Sequence, residues 1–591
     1  MKMQKKVESV RRLCGWVVHL HLVMIWGSLH TVTSVASEQP ETYIIRMDPS
    51  HKPSPFSTHE SWHQAILDSS TLSFISPSSL GRSRKLIYSY HHALHGFSAR
   101  LTPSELKLSA KSSPQYLGLN YSSGLWPKAS YGREIIIGNI GTGVWPESKS
   151  FHDKKYNPTL PSRWKGECEE GERFNKSLCN LKLIGARSFS KGFKEKTGMN
   201  ISKENDYDSP RDFDGHGTQT ASIAAGCVVA ADTSHFGYSP LMSAEAKPYY
   251  DDLLAIATLK AVKQAVFVAC PAGNDGRVKS IRNGPPWVPL VLITSSEDAN
   301  KVLQYTEKER EAIVKELKFR FIDEGNKPAP RVAFFSSRGP DPITPTILKP
   351  DVIAPGKDIL TAWVPNKPYI TIDGSEKFNT DYALAFGTSM AAPHIAGVAA
   401  LLKSIHSDWS PAAIRSAIMT TTRMVDNKFM TISDERTNMA ASPLDFGAGL
   451  VNPSAAVDPG LIYDMQFKDY ADFICALKYT GSHIVGSSRW KCNSSSADLN
   501  YYPSFAAVFT KAQKGPKLVK TFKRVVTNVG DDKADYSALL GSDPGMTIRV
   551  QPTILKFTQK NQKMSFTVTV ELDMKAWNSS LHPLPNGNFN P

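Results

Sequence analysis

The 591 residues exceed what one hydrophobic core accommodates, about 250 to 300 residues, so the chain is expected to divide into several domains. With 41% hydrophobic and 21% charged residues, the composition excludes disorder as the dominant state. The formal net charge of +14 is spread over lysines and arginines that seldom exceed two in a row, which excludes a concentrated nucleic-acid-binding stripe.

At the N-terminus, Lys2, Lys5, Lys6, Arg11 and Arg12 precede the apolar run LCGWVVHLHLVMIW and small residues ending TSVAS. This is the pattern of a secretory signal peptide over residues 1–37, cleaved near Ser37. Two histidines interrupt the run, and no later segment offers about 18 uninterrupted apolar residues, so no membrane association is expected after signal removal. Five N-x-S sequons, at Asn120, Asn175, Asn200, Asn493 and Asn578, fit a secretory route. In that oxidising compartment Cys168 and Cys179 enclose one polar loop and Cys475 and Cys492 another, two candidate local disulfides. Cys227 and Cys270 lie in apolar surroundings and read as buried thiols. No CxxC pair or other ligand spacing points to a metal, and no cofactor is expected.

Residues 42–110 read as a small α+β module. ETYIIRMD, KLIYSY and FSARL are strand-like, His95-Gly96 is a turn, and Trp62 to Leu67 sit on a helix. TPSELKLSA opens a second helix, with Thr102 as cap, Pro103 at the first position and Glu105 closing the capping box. Residues 116 to 430 alternate apolar strands with helix-like segments, which predicts an α/β domain on a parallel sheet. EIIIGNI and AVFVACPAG are near-continuous apolar runs, as expected of strands buried on both faces. Residues 290–328 are charged and read as an insertion. From Leu499 onward KTFKRVVTNVG, MTIRVQPTILKF and MSFTVTVEL alternate as in a β-sandwich. The tail LHPLPNGNFNP adds no further alternating strand, which predicts an uncovered edge.

Three short motifs carry chemistry. DFDGHGTQTASIAAG sets His216 among glycines at the start of a small-residue helix, where backbone can crowd an imidazole whose position is fixed. AFGTSMAAPHIAGVAALLK sets Ser389 at a helix N-terminus, where free N–H groups favour developing negative charge. VACPAGNDG presents Asn274 on a turn after an apolar run, where an amide donor can reach the same point. Together they supply a general base, a nucleophile and an oxyanion hole.

GTSMAAPH, DGHGT and AGN in this chain resemble the subtilisin-like serine proteases. VWPES, KLIGAR, SSRGP, LKPDVIAPG and HSDWSPAAIRSAIMTTT narrow the resemblance to the plant subtilases, over most of residues 42 to 572. The resemblance implies a subtilisin-like parallel-sheet α/β catalytic domain over 116–480, with a reduced protease-associated insert at 290–328. It also implies an N-terminal α+β inhibitor-like propeptide over 42–110 and a truncated C-terminal fibronectin-III-like β-sandwich over 499–591. His216 would take the proton from Ser389, Ser389 would attack the peptide carbonyl, and Asn274 with the Ser389 N–H would hold the oxyanion. The implied partners are protein or peptide substrates and the chain's own propeptide, acting as inhibitor and chaperone. The implied location is extracellular, in the cell wall or apoplast.

The chain departs from that family at Gly141. The turn that reads D-T-G in the family, and delivers the triad's acid, reads Gly141-Thr142-Gly143. In a subtilisin, losing this aspartate alone lowers turnover by about 3 × 10⁴, roughly 6 kcal/mol of barrier. Asp212 and Asp214 lie near His216 in sequence, but the SPRDFDGHGT pattern gives them other places. Between Gly237 and Tyr249 the chain is several dozen residues shorter than the family, too short for the crossovers that parallel strands need. The propeptide junction is also short. The expected function is therefore peptide-bond hydrolysis with impaired activity, the alternative being a non-catalytic secreted binding protein.

Overall fold

The computed structural model describes residues 41–46, 86–90, 96–101, 113–120, 123–153, 160–201, 204, 206–226, 253–274, 276, 328–341, 343–368, 370–372, 376–477, 502–509, 513, 515–541 and 545–575. The signal segment, the helices expected at Trp62 to Leu67 and 102–110, Cys227 and nearly all of the 290–328 insertion lie outside these residues. The described residues fall into two compact units, one carrying the N-terminal strands and the other the elements from Leu125 onward.

In the first unit β1 (Glu41–Arg46), β2 (Leu86–Tyr90) and β3 (Gly96–Leu101) form an antiparallel sheet in the order β1-β3-β2. Thr42 pairs with Arg100, and Tyr90 with Gly96 across the predicted turn. Three alternating runs of the sequence thus become three paired strands.

The second unit is organised around α1 (His216–Ala225) and α3 (Thr388–Ile405), with α2 (Leu253–Lys263) and α4 (Pro411–Thr420) beside them in sequence order. On α3 the buried residues Met390, His394, Val398, Leu401 and Leu402 recur at three- and four-residue spacing, so one stripe faces inward. Burying each of the leucines and valines contributes about 1.5–3 kcal/mol. Helix α1 packs against α3 closely enough that a Cβ at Gly397 would lie 3.3 Å from the Ala224 carbonyl oxygen. Its other flank meets β5 (Ile359–Ala362), where the Ala362 N–H donates to Ser222 Oγ at 3.1 Å and Ile223 packs on Ile359, Ala385 and Met390. β5 pairs antiparallel with β8 (Tyr382–Ala385), which runs through Phe386 and Gly387 into α3. Helix α4 starts with Pro411 at N1 and Ser410 Oγ accepting from the Ala413 N–H at 3.0 Å.

The two runs read as doubly buried strands behave otherwise. Residues 135–140 and 266–273 belong to no ladder among the described residues; Ile140 is 100% and Val266 50% exposed. Cys270, read as a buried thiol, is exposed with them. A parallel strand becomes buried only when ladders flank it and helices cover both faces, and among the described residues no ladder flanks either run. Parallel pairing among the described residues is confined to β4 (Arg331–Val332) with β9 (Ser433–Asp434) and to isolated bridges such as Val144 with Arg211.

The C-terminal alternating segments form two sheets. One has the order β10-β11-β15-β13, from Leu461–Ile462, Lys517–Asn528, Lys563–Asp573 and Met546–Gln551; the other pairs β12 (Ala534–Ser537) with β14 (Ile554–Phe557). Phe522, Val568 and Val570 fill one part of the core, and Val526, Leu555 and Phe557 another. Arg524 occupies an inward position of β11. It is accommodated because Nε donates to the Tyr502 carbonyl at 3.1 Å, an Nη to that of Ser504 at 2.9 Å, and the guanidinium lies over the Phe505 ring. β10, from the segment before the sandwich, was not anticipated as one of its strands.

The SSRGP motif acquires a structural role. Arg338 lies buried between Asp434, at 2.9 Å, and Asp445, at 3.6 Å, both carboxylates themselves buried. Asp434 also accepts from the N–H groups of Arg436 and Thr437, and Asp445 from Ser442. Breaking a buried charge cluster leaves the remaining ions uncompensated, at a cost of about 3–5 kcal/mol. Arg338→Met is therefore expected to lower the stability of the full chain by about that amount, read from the urea unfolding midpoint.

Candidate active site

His216 is the first residue of α1, and the helix start is clamped by a buried carboxylate. Asp212, 0% exposed, accepts from the Gly215 N–H (2.8 Å) and Thr142 Oγ1 (2.9 Å) through Oδ1, and from the Thr218 N–H (2.8 Å) and Thr218 Oγ1 (2.6 Å) through Oδ2. An ionised carboxylate at a helix N-terminus satisfies orphan N–H groups and complements the dipole. The same residue thereby joins α1 to the turn at 141–143. Thr142 Oγ1 also accepts from the Gly217 N–H at 2.8 Å, and Asn139 Nδ2 donates to the Gly217 carbonyl at 3.1 Å.

The two glycines of that turn differ in why they are there. Gly143 has φ 131°, and a Cβ on it would stand 2.7 Å from Asp212 N and Pro210 O, so backbone and space both demand glycine. Gly141 lies outside the left-handed region. A Cβ there would be 3.0 Å from Gly217 Cα and 3.5 Å from Asn139 Nδ2, tight on one side only. Gly141 is exposed, and its missing side chain would point toward the residue after His216. Backbone conformation does not require glycine at this position, and the one close contact, with Gly217 Cα, must yield by a few tenths of an ångström to admit a side chain.

Burial holds the His216 imidazole below its ordinary value of 6.5, against smaller upward pulls from Asp214 and Asp212. Nε2 is buried without a hydrogen-bond partner, and among the described residues no hydrogen bond joins the ring to Ser389 or to any carboxylate. Asp212 is fully engaged in its clamp, and Asp214 pairs with Lys367 Nζ at 2.9 Å. Neither is placed to orient the imidazole.

Ser389 follows Thr388 at the start of α3 and is 7% exposed. Its N–H belongs to the first helical turn, where no intrahelical carbonyl is available to receive it. Pro393, four residues on, has no N–H to return to the Ser389 carbonyl. Asn274 Oδ1 accepts from Thr388 N–H (2.9 Å) and Thr388 Oγ1 (3.1 Å), and the Gly273 N–H donates to Thr388 Oγ1 (3.1 Å). The AGN turn is thus fastened to the residue preceding Ser389, and the oxygen end of the Asn274 amide is the end that is held. Ser389 and Asn274 therefore share one helix N-terminus, while His216 and Gly141 share the other.

Among the modification candidates, Asn175 and Asn200 are exposed, and Asn175 caps a short turn through Ser177 N–H. Asn120 is half-buried; Asn493 and Asn578 lie outside the described residues. Cys168 and Cys179 are joined by a disulfide, and Cys475 is disulfide-bonded, with Cys492 outside the described residues. No group of three metal-ligating side chains occurs among the described residues. Nor is any helix among them long and apolar enough to cross a membrane. Sequence reading did not foresee the clamp made by Asp212, Thr142 and Asn139. Its only trace is a carboxylate three residues before the helix-capping glycine, a spacing suited to an N-terminal acceptor.

Three family models match this chain: the subtilase family over residues 239–449, a fibronectin type-III domain over 498–582 and peptidase inhibitor I9 over 42–113. Subtilisin-like protease SBT3 of Solanum lycopersicum is 34% identical over 728 residues, covering 93% of this chain and 94% of that protein. Subtilisin-like protease SBT1.6 of Arabidopsis thaliana is 30% identical over 741 residues, covering 94% of each. Both alignments are longer than the 591 residues of this chain, so both relatives carry internal segments that face gaps here. A crystal structure of MycP1 with the N-terminal propeptide removed aligns at 20% identity and a TM-score of 0.23, over 42% of this chain and 80% of that one.

A histidine with a depressed folded pKa stays neutral where the unfolded chain is protonated. Acid therefore destabilises the fold through His216 below pH 6.5, and the effect vanishes above it. The imidazole resonances of His216 are expected to titrate with a midpoint below 6.5 in the folded chain, assigned by their loss in His216→Ala.

Proposed function

Since the chain belongs to the subtilase family of subtilisin-like serine proteases, we propose that it is a secreted endopeptidase that hydrolyses peptide bonds through an acyl-enzyme, at a rate impaired by Gly141. Ser389 Oγ attacks the scissile carbonyl carbon as its proton passes to His216 Nε2. The carbonyl electron pair moves to oxygen, which the Ser389 N–H and Asn274 Nδ2 hold. The imidazolium then protonates the departing amine, and a water deprotonated by the same ring releases the acid product. The supporting observation is the fastening of Asn274 Oδ1 to Thr388, which leaves the Nδ2 end of the amide to serve the carbonyl oxygen at the Ser389 helix start.

Around this reaction the domain roles follow. Residues 1–37 direct secretion to the cell wall or apoplast, and 42–110 act as an intramolecular inhibitor and chaperone of the 116–480 catalytic domain. The 290–328 segment is a reduced protease-associated insert, and 499–591 form the fibronectin-III-like domain. Glycosylation at Asn120, Asn175, Asn200, Asn493 and Asn578 and disulfides Cys168–Cys179 and Cys475–Cys492 belong to the same secretory reading. The second reading, a non-catalytic binding protein, is favoured by one fact: no carboxylate among the described residues faces His216.

A serine-directed phosphonylating probe separates the two. Labelling of the folded chain that disappears in Ser389→Ala supports the protease; a folded chain that never labels supports the binding protein. Gly141→Asp is expected to raise kcat by up to about 3 × 10⁴-fold. It should also move the acid limb of the pH–rate profile upward, because a carboxylate beside the ring favours imidazolium. If Gly141→Asp gains nothing although Ser389 labels, the shortened core between Gly237 and Tyr249 is the deeper defect.

A further inference from the structure

We infer that β13 (Met546–Gln551) is a self-association edge: two copies of this chain join by antiparallel pairing of their β13 strands about a two-fold axis at Ile548. The four-stranded sheets of two sandwiches then become one continuous sheet. This holds whether or not the chain hydrolyses peptides.

The ladder decides which backbone groups are available. β13 pairs with β15 in unbroken register, and among the described residues no strand lies beyond it. The Asp573 N–H donates to the Gly545 carbonyl at 2.8 Å, which marks the pairs that exchange hydrogen bonds with β15. Every second pair in the register follows: Thr547 with Glu571, Arg549 with Thr569 and Gln551 with Thr567. The N–H and carbonyl groups of Met546, Ile548 and Val550 therefore point away from β15, and among the described residues they have no backbone partner. Sheet edges are commonly blunted by proline, by a bulge or by shortness. β13 has six residues, no proline and no bulge, whereas β12 and β14 have four residues each.

Three properties select a second copy as the occupant. First, the strand is self-complementary. With the axis at Ile548, that residue meets Ile548 of the second copy and Met546 meets Val550 of the second copy, so every outward backbone group finds a donor or an acceptor. Second, charge fixes this register. Arg549 is the one charged residue in β13, and an axis at Arg549 would set two guanidinium groups opposite each other. The axis at Ile548 sets Arg549 opposite Thr547 of the second copy, in the row that continues to Glu571. Glu571 already draws cations to that row, with Lys517 Nζ at 2.5 Å and Arg549 Nη1 of its own chain at 3.7 Å. Third, the apolar side continues the core. Met546, Ile548 and Val550 are half-buried and pack on the cluster of Phe522, Val568 and Val570. Pairing extends that cluster across the axis and removes from water the apolar surface that a lone sandwich leaves wet.

A two-fold axis makes the interface isologous, so association closes at the dimer. A six-residue ladder is smaller than a standard protein interface, which puts the dissociation constant on the order of 10 µM.

The test follows the full secreted chain by sedimentation from about 1 to about 200 µM, together with amide exchange resolved to single residues. Monomer is expected to convert to dimer over this range. The amides of Met546, Ile548 and Val550 should exchange about tenfold more slowly in the dimer, while those of Thr547, Arg549 and Gln551, already in the β15 ladder, keep their rates. Ile548→Pro removes an outward N–H and spares that ladder, so it should leave the sandwich folded and the chain monomeric. Arg549→Glu sets a carboxylate in the row of Glu571 on both sides of the axis and should raise the dissociation constant about tenfold or more. A chain that stays monomeric overturns the inference, as does a dimer in which the three amides exchange unchanged or that Arg549→Glu leaves as tight. A monomer whose three amides are already slow also overturns it, because a segment of the same chain then covers the edge. So does a species whose mass is not twice that of the chain, because the occupant is then a different protein.

Discussion

The buried carboxylate of Asp212 is the interaction on which the candidate site depends. It is fully excluded from water and each of its oxygens accepts two hydrogen bonds, so its desolvation is compensated within the protein. Those bonds come from the capping glycine of α1, from Thr218 in its first turn and from Thr142 in the turn after residues 135–140. One side chain thereby fixes the axis of the helix carrying His216 and the approach of the loop carrying Gly141. Without it, two segments about seventy residues apart in sequence would have no polar bond through a common centre. The start of α3 is fastened on the same plan: Asn274 is tied to Thr388, the residue before Ser389, by Oδ1 and through Gly273.

This arrangement makes Gly141 informative. Its neighbour Gly143 is glycine because backbone and space require it, whereas at 141 the backbone does not and a Cβ is crowded on one side only. The turn holds its hydroxyl and its capping contacts around a residue with no side chain: Asp212, Thr142 and Asn139 carry the contacts that set it against α1, and none of them involves residue 141.

The larger departure lies in the sheet. Two apolar runs that read as central strands are extended but without ladders among the described residues, and their exposed residues include Ile140 and Val266. The relatives carry internal segments that this chain lacks, and a parallel sheet is the architecture least tolerant of such a loss, since each strand depends on neighbours reached through long crossovers. Among the described residues the helical side is packed, α1 against α3 and β5, with a buried charge cluster joining loops elsewhere in the unit. Arg338 between Asp434 and Asp445 fastens its own segment to a stretch much further along the chain. The C-terminal sandwich keeps its ladders, because its strands pair antiparallel with one another within residues 461–573.

The sequence alone determined the family and the strands of the N-terminal module and the sandwich, and it singled out His216, Ser389 and Asn274 as candidates. Alternation, capping residues and short motifs are local properties, and local properties can be read from neighbouring residues. It also singled out Gly141 against the pattern of its neighbours. Tertiary structure decided what depends on partners distant in sequence: that EIIIGNI and AVFVACPAG have no ladders among the described residues, that Cys270 is exposed, that Arg524 can face inward, and that Asp212 serves as a clamp. An apolar run does not specify its neighbours, and a carboxylate does not specify its donors. Both are fixed only when the chain has brought remote backbone within hydrogen-bonding distance.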